Sequence, residues 1–402
     1  MASNDDIKRP LDGVRVLELG QIIAGTYGGQ MLTDLGAEVI KIEAHIGDLG
    51  RLPSVAPYKH LSGLFLTYNR NKKSVVIDLK TEEGLKVFYE FVQTADVVVD
   101  NFRPGVLTKL KVDYDDLKAI NPKIIQCSVT GFGLEGEYKD LPALDIIIQS
   151  ISGMLSITGE KDGPPARVGV PISDLGGGVF SAQGILAALY EREKTGVGRR
   201  LEVSMFDAML SLLSYVGTIW LTSGELPELM GTAHEYTVPW QAFQTKEGYL
   251  VLATRQDKFW LKFCKAVNRP DLAADERFAT NDSRVKHRDV LVPLLEELLL
   301  ERTATDWLTD MRKFDVPAAP VNNLEGVFSE PPVAEREMIV EYDHPEVGRV
   351  RMPGNPVKME GVSETLSEPA PMLGEHTDEL LRSLLNKSDE DIAALRDSGA
   401  VA

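Results

Sequence analysis

The residue with the clearest capacity for chemistry is Asp174, in the segment RVGVPISDLGGGVF. A helical pattern follows it, so this carboxylate suits a helix N-cap, a position that favours Asp. A cap does not explain the next three glycines, Gly176 to Gly178, because each costs a helix about 1 kcal/mol relative to alanine. A carboxylate with open space before it can also act as a nucleophile towards an activated acyl group. The pattern leaves both roles open.

Other catalytic patterns are missing from the sequence. The histidines form neither HExxH nor another close metal-binding spacing, and no GxSxG elbow or GxxxxGK[ST] loop occurs. Cys127 and Cys264 lie far apart, which predicts neither a disulfide framework nor a zinc site. The glycine-containing turn LGQIIAGTYGG lacks the GxGxxG spacing that would favour NAD. We therefore expect no metal and no prosthetic group.

A second chemical feature is a basic stretch within an acidic chain. Residues 70–111 contain eight basic and six acidic residues, although the net charge of the whole chain is -18. Within this stretch, DNFRPG (Asp100 to Gly105) follows a predicted strand. Its aromatic ring could stack on an adenine while Arg103 meets a phosphate. The same residues suit a strand-to-helix turn in which Pro104 begins the helix, and spacing alone does not separate the two interpretations.

The elements that would position these residues alternate between strand and helix patterns over the first two hundred residues. KSVVIDL, TEEGLKVFYEFVQTA and DVVVD form a β-α-β pattern with Thr81 as the helix N-cap. The alternation predicts a mostly parallel sheet covered by helices. Periodic helices and a hairpin over residues 226–325 predict a smaller α+β domain. The apolar stretch from Met205 to Leu221 is short for a membrane span and contains Asp207, so it predicts a buried helix.

Composition narrows the class of protein. A chain of 402 residues predicts two domains, and a mean hydropathy of -0.11 is typical of a globular protein. The strong negative charge argues against nucleic acid and anionic membranes as partners, since phosphate backbones require a basic surface. The polar N-terminus lacks a signal-peptide core, which predicts a cytoplasmic location.

Several motifs in fixed order resemble family III CoA-transferases, the group that includes formyl-CoA transferase and carnitine CoA-transferase. Alpha-methylacyl-CoA racemase belongs to the same superfamily. The matching segments are PLDGVRVLELGQIIAG, LGAEVIKIE, NRNKKSVVIDLKTEEG, ADVVVDNFRPG, GVPISDLGGG, TGVGRRLEVSMFDAML and PMLGEHTDELL. They extend over nearly the whole chain, and together they are far more specific than any one of them.

The resemblance implies an α/β architecture in which one domain is inserted into another. Residues 1–225 would form the N-terminal part of a large Rossmann-like, parallel-sheet domain that binds CoA. Residues 226–330 would form the small inserted α+β domain, and residues 331–402 would return to the large domain. Two subunits would interlock as a dimer, either as a homodimer or as a heteromer with a paralogous subunit.

The resemblance also implies a reaction in which Asp174 attacks the thioester of a donor acyl-CoA and then carries CoA as a thioester. The acceptor would be a carboxylic acid, with succinyl-CoA as the expected donor and a dicarboxylate as the expected acceptor. Racemases of the superfamily have a His before the Asp of a GHDI-like motif. Here Leu144 precedes Asp145, which favours transfer over the alternative, racemisation of a 2-methylacyl-CoA. A further alternative is a non-catalytic CoA-binding subunit, and the presence of Asp174 argues against it.

The site residues implied by the resemblance fall into two groups. CoA would contact the first turn, a strand end and the DNFRPG turn, through Ile22, Ile23, Ala24, the stretch Ile77 to Lys80, Asn101, Phe102, Arg103 and Lys109. Relatives often have a basic residue after the IKIE strand, where this chain has Ala44, and Arg51 is a candidate replacement. The substrate acids would contact Gly176, Gly177, His234 and Tyr236, with Trp240 as a further candidate. The glycines would leave space for the acyl group.

Overall fold

The computed structural model describes residues 9–53, 57–360, 362 and 368–402. The chain divides into two compact units, which are described separately. The first unit contains the chain up to Met154, Val168–Glu225 and the chain from Ala334 onwards. The second contains Leu155–Arg167 and Leu226–Val333, so it includes a short segment, Leu155–Arg167, that lies within the predicted large domain.

The strands, in chain order, are β1 (Arg15–Glu18), β2 (Glu38–Glu43), β3 (Pro57–Tyr58), β4 (Leu61–Ser62), β5 (Lys72–Val76), β6 (Val97–Asp100), β7 (Ile125–Thr130), β8 (Arg200–Ser204), β9 (Trp240–Gln244), β10 (Tyr249–Ala253), β11 (Ala318–Pro320), β12 (Ile339–His344) and β13 (Gly348–Pro353).

The helices, in chain order, are α1 (Ala24–Asp34), α2 (Gly63–Tyr68), α3 (Glu82–Thr94), α4 (Val106–Leu110), α5 (Tyr114–Ile120), α6 (Asp145–Ile151), α7 (Ile172–Thr195), α8 (Met205–Leu212), α9 (Ser214–Ser223), α10 (Asp257–Ala266), α11 (Pro270–Ala274), α12 (Asn281–Lys286), α13 (Arg288–Leu299), α14 (Ala304–Lys313), α15 (Leu324–Ser329), α16 (Pro331–Glu335), α17 (Thr377–Ser383) and α18 (Asp389–Asp397).

The first unit contains a six-stranded sheet in the order β5-β2-β1-β6-β7-β8, and every pairing in it is parallel. Val16 of β1 pairs with Val39 on one side and with Val97 on the other. Strands β2, β6 and β7 are buried on both faces, as a parallel sheet covered by helices requires. The strand order reverses between β1 and β6, which creates a topological switch point there. The predicted parallel sheet is confirmed.

Local sequence explains several of the covering helices. The Thr81 hydroxyl accepts a hydrogen bond from the Gly84 N–H, so Thr81 caps α3 as predicted. Apolar residues at helical spacing, Val87, Phe88 and Phe91, face the core of the sheet. The end of the chain returns to the same core, where the Asp78 N–H donates to the Ala400 carbonyl.

The long helix α7 packs unusually closely against its neighbours. A Cβ at Gly176 would lie 2.9 Å from the Met209 side chain, and one at Gly178 would lie 2.8 Å from the Tyr27 side chain. A Cβ at Gly177 would also be tightly placed, 3.1 Å from Val129. Gly178 is therefore required for close helix packing, and the Cβ positions of Gly176 and Gly177 also face packed side chains rather than open space. This finding corrects the prediction that Gly176 and Gly177 leave space for an acyl group.

The apolar stretch predicted as one buried helix forms two. α8 buries Met205, Ala208 and Met209, whereas α9 has no buried residue, and the helices meet at a 79° bend. The bend occurs at Ser214, where φ is 52°. Among the described residues, α7 and this bent pair have the length and composition of a membrane span. Half of the apolar window of α7 is buried within the protein, as in an ordinary core helix.

The second unit is built around the antiparallel sheet β11-β10-β9 and the helices from α10 to α14. Its core contains Trp260, Phe263 and the fully buried Arg284. The Arg284 guanidinium donates to the Val238 carbonyl at 2.7 Å and to Asp257 Oδ1 at 3.0 Å, which compensates for removal of its charge from water. The unit has the α+β character that the sequence predicts.

We predict that Gly178→Ala destabilises the protein even though alanine favours helix. Its Cβ would meet the Tyr27 side chain and the Gly28 backbone, so we expect a loss of about 2 kcal/mol in the free energy of unfolding. Gly184→Ala is the matched control on the same helix. Its Cβ would come no closer than 3.6 Å to Leu201, and we expect a gain of about 0.5 kcal/mol. Urea denaturation measures both values, and equal effects would contradict the packing role.

Candidate active site

A cleft of about 410 Å³ lies where the strand order reverses. The loops after β1, β6 and β7 meet there with the start of α7. The lining residues are Gln21, Ile22, Ile23, Ala24, Leu49, Asn101, Phe102, Arg103, Pro104, Val129, Thr130, Gly131, Lys139, Leu141, Ala143, Leu144, Asp145, Asp174 and Met205. Ligand sites of open parallel sheets form at this position because the loops diverge there.

The cleft brings together many of the residues singled out in the sequence. Asp174 shares it with three predicted contacts from the first turn, Ile22 to Ala24, and three from the DNFRPG turn, Asn101 to Arg103. These segments are far apart along the chain. The strand order places them side by side, since β1 and β6 are neighbours.

Other predicted contacts lie elsewhere. Ile77 is 1% exposed and belongs to the hydrophobic core, so its side chain is not available to a ligand, and this prediction is corrected. Lys80 and Lys109 are exposed but do not line the cleft. Arg51 donates to both Glu43 oxygens at 2.7 Å and to the Pro371 carbonyl. This guanidinium is occupied within the fold, which corrects its suggested role as a phosphate contact.

Asp174 is the third residue of α7 and does not cap it. The N-cap position is held by Pro171, which has no side chain able to cap the helix. The N–H of Ser173, in the first turn of the helix, instead donates to Asp145 Oδ1 at 2.9 Å, and the Ser173 hydroxyl donates to the same oxygen at 2.8 Å. Asp145 on α6 thus supplies the capping group that Pro171 lacks, and the alternative of Asp174 as an N-cap is wrong.

The Asp174 carboxylate is isolated in the cleft wall. Within the described part of the chain, no hydrogen bond or ion pair reaches it. Burial raises the pKa of Asp174, and the nearby charge of Asp145 raises it further, to about 7. A carboxylate without partners holds its negative charge at a cost, and that charge remains available to an electrophile.

Asp145 is held firmly beside the proposed nucleophile. Its second oxygen, Oδ2, accepts from the side-chain Nε2 of Gln149 at 2.7 Å. The side-chain Oε1 of Gln149 in turn accepts from the Val168 N–H at 3.0 Å. Sequence reasoning treated Asp145 only as the neighbour of Leu144. It also missed Lys139 and Leu141, because no local pattern shows that the loop before α6 turns back to the cleft.

Two polar side chains of the DNFRPG turn, Asp100 and Asn101, form hydrogen bonds within the protein. Asn101 donates to the Gln21 carbonyl and accepts from the Gln21 N–H, both at 2.8 Å. Buried Asp100 accepts from Ser128 Oγ at 2.7 Å and from the Phe102 N–H. Burial raises the pKa of Asp100 to about 6.

Arg103 differs from its neighbours in this turn because it is exposed at the cleft. Helix α4 begins only at Val106, after a left-handed Gly105, so Pro104 does not start the helix. The turn therefore holds the two loops together and leaves Arg103 and Lys139 as the cationic side chains that line the cleft.

His234 and Tyr236, the predicted acid contacts, lie in the second unit. The His234 ring lies 5.4 Å from that of Trp240, and the Tyr236 N–H donates to His234 Nδ1 at 3.1 Å. Burial, followed by the charges of Arg255 and Arg288, lowers the pKa of His234. Among the described residues, no cluster of His, Cys, Asp and Glu side chains is suited to a metal ion.

The sheet order and the cleft together define an open, parallel α/β protein with its candidate site at the topological switch point. The family model described as CoA-transferase family III matches residues 11–377. The chain therefore belongs to the family III CoA-transferases, as its motifs predict.

Proteins with assigned activities are similar over nearly the full length. The succinyl-CoA:glutarate CoA-transferase of Homo sapiens is 34% identical, with 98% of this chain and 90% of the human protein covered. The acetyl-CoA:oxalate CoA-transferase of Acetobacter aceti is 40% identical, with 92% and 94% covered. The crystal structure of a CAIB/BAIF family protein from Brucella suis matches with a TM-score of 0.85 at 37% identity, covering 94% of this chain and 100% of that one.

We predict that Asp174→Asn stabilises the protein at alkaline pH. The folded-state pKa of Asp174, about 7, lies above the ordinary value of 3.8. The wild type therefore loses stability as the pH rises from about 4 to about 7, since ionisation is less favourable in the folded state. At pH 8 the variant should gain about 2 kcal/mol in the free energy of unfolding, and at pH 4 the gain should vanish. Urea titrations at the two pH values measure this, with exposed Asp115→Asn as the control. An equal gain at both pH values would contradict the assignment.

Proposed function

We propose that this protein moves CoA from a dicarboxylic acyl-CoA, such as succinyl-CoA, to an acceptor carboxylic acid, with Asp174 as the nucleophile. One observation carries the proposal: an isolated carboxylate with a raised pKa lines a switch-point cleft that also contains Arg103. The names of two relatives, which pair succinyl-CoA with glutarate and acetyl-CoA with oxalate, support dicarboxylic substrates.

The reaction begins with ionised Asp174 attacking the thioester carbonyl of the donor. The carbon–sulfur bond breaks, CoA leaves as a thiolate, and a mixed anhydride forms between the donor acid and Asp174. The thiolate then attacks the aspartyl carbonyl, which releases the donor acid as a carboxylate and leaves an aspartyl-CoA thioester. The acceptor carboxylate repeats these steps in reverse order. One thioester replaces another, so neither an oxidant nor a net proton is required.

The cleft residues have separate roles in this scheme. Arg103 and Lys139 would pair with CoA phosphates, since cationic side chains are the usual phosphate partners in proteins. Phe102 provides an aromatic surface, and Ile22 and Ile23 provide apolar surface, for the rest of the coenzyme. Asp145 fixes the start of α7 through Ser173 and thereby orients the nucleophile.

Apolar surface in the first unit supports the proposal of a dimer. α9 has no buried residue, yet Tyr215, Trp220 and Leu221 on it are 55%, 46% and 78% exposed. Several large exposed apolar side chains on one short helix are typical of a protein–protein contact. A second copy of the chain, in the interlocked arrangement that the motif resemblance implies, would cover them.

We expect Asp174→Ala to reduce CoA exchange by more than a thousandfold, because Asp174 forms the covalent intermediate, and the oxygens of Asp145, the other carboxylate that lines the cleft, are occupied by Ser173 and Gln149. Succinyl-CoA, labelled glutarate and mass spectrometry of the new acyl-CoA measure the rate. Asp174→Asn should be equally inactive, and Asp115→Asn should retain wild-type exchange. Full activity in Asp174→Ala would refute the mechanism. Deuterium uptake at C2 of a branched acyl-CoA, in the absence of an acceptor acid, would instead indicate racemase activity.

We expect kcat/KM for the donor to rise with pH and to level off above about 7, because only the ionised Asp174 is nucleophilic and its pKa is about 7. Asp145→Asn removes a charge that raises this pKa, so the acidic limb should move to lower pH. Asparagine still offers an oxygen to the Ser173 N–H, which preserves the start of α7. A limb that stays in place would contradict the coupling between the two carboxyl groups.

A further inference from the structure

One wall of the cleft is made of strained backbone. Ile22 has a φ of 64°, in the left-handed region that a β-branched residue rarely adopts. A left-handed conformation is unfavourable for a non-glycine residue, because its Cβ crowds the following carbonyl oxygen. The strain falls within the turn Gln21–Ala24 that lines the cleft, so surrounding groups must hold this conformation in place.

The Asp48 side chain holds the strained backbone of Ile22 through a hydrogen bond. Its Oδ1 accepts from the Ile22 N–H at 3.0 Å and from the Gly50 N–H at 2.7 Å. Gly50 packs so closely that a Cβ there would lie 3.3 Å from Ile22 Cα. The same carboxylate caps the short 3₁₀ turn Leu49–Arg51, whose first residue also lines the cleft. One buried side chain thus fixes two parts of the wall.

Lys41 fixes Asp48 in turn. Its ammonium lies 2.8 Å from Asp48 Oδ2 and 3.0 Å from Glu18 Oε1, and it donates to the Gly20 carbonyl at 2.7 Å. Lys72 donates to both oxygens of Glu18, at 2.9 Å and 2.7 Å, and its positive charge balances the negative charge of Glu18. Burial alone would raise the pKa of Asp48. The charge and hydrogen bond of Lys41, together with the N–H groups of Gly50 and Ile22, outweigh this effect, and the pKa lies below its usual value.

A buried charge cluster of this kind is energetically costly, because its charged groups lose their contact with water. Lys41, Lys72 and Glu18 are fully buried, and buried ion pairs often stabilise a protein no more than apolar side chains of the same size would. Here, however, the charged groups reach the carbonyl of Gly20 and, through Asp48, the N–H of Ile22. Apolar side chains could form neither contact, so the cluster supports the conformation of the turn.

We propose that Asp48 and Lys41 are positioning residues that hold Ile22 in its left-handed conformation, and so shape the CoA-facing wall of the cleft before the ligand arrives. The inference depends on the proposed function in one respect, that the ligand of this cleft is CoA. Neither residue lines the cleft, so both act through the backbone of the turn.

The test uses the opposite preferences of isoleucine and glycine. In Asp48→Ala the Ile22 N–H loses its acceptor, the turn relaxes, and the Kd for free CoA should rise about tenfold in isothermal titration calorimetry. Adding Ile22→Gly makes the left-handed conformation inexpensive. The double variant should therefore bind CoA at least threefold more tightly than Asp48→Ala, although it has lost one more contacting side chain.

The outcomes separate the inference from a general loss of stability. A double variant that binds CoA no better than Asp48→Ala would overturn the positioning role. If Asp48→Ala does not fold, Asp48→Asn with and without Ile22→Gly replaces it, because asparagine keeps an acceptor for Ile22 but loses the ion pair. The same ordering is expected for that pair of variants, and an equal or reversed ordering overturns the proposal. A wild-type protein that binds no CoA would contradict the proposed function instead.

A matched control is available at the other end of α1. Asp34 accepts from Arg70 in a mostly buried ion pair that does not reach the turn. Asp34→Ala should lower the urea midpoint while the Kd for CoA stays within twofold of wild type. Peptide-level deuterium exchange provides a readout without ligand. The peptide containing Ile22 should exchange faster in Asp48→Ala and at the wild-type rate in Asp34→Ala.

Discussion

The two hydrogen bonds between the Asn101 amide and the Gln21 backbone join loops that the topology would otherwise separate. Chains leaving the carboxyl ends of β1 and β6 run to opposite sides of the sheet, because the strand order reverses between them. The divergence opens a cleft, and the Asn101 bonds keep its two edges in register. The lining residues of these two loops, from Ile22 to Ala24 and from Phe102 to Pro104, depend on this fixed gap.

Charge is distributed around the cleft in two contrasting ways. Next to the turn Gln21–Ala24, Lys41 and Asp48 form an ion pair and hydrogen bonds, which compensate for their burial. Among the residues that the structure describes, Asp174 has no such partner, and burial, followed by the charge of Asp145, raises its pKa. The paired charges hold backbone in place, whereas the unpaired one retains its reactivity. A protein tolerates this difference where the cost of an unsatisfied group contributes to function.

The glycines after Asp174 show where a functional interpretation of sequence can be misdirected. Three glycines beside a carboxylate suggested open space for a substrate. The structure fills that space with Met209, Val129 and Tyr27 from neighbouring elements. Close helix packing and close approach of a ligand both require glycine, and a single sequence does not distinguish them. The apolar stretch after β8 was misread for a related reason, because hydropathy does not reveal the bend at Ser214.

The sequence by itself determined the alternation of strands and helices, the cap at Thr81, the family, and Asp174 as the residue to examine. These features depend on local periodicity, on capping chemistry, or on motifs that are contiguous along the chain. Only the tertiary structure decided that Asp145 caps α7, that Asn101 clamps Gln21 and that Ile77 is core. Each depends on contacts between elements that are distant along the chain. Those contacts form because the whole fold minimises exposed apolar surface and unsatisfied hydrogen bonds, and no local segment of sequence reveals them.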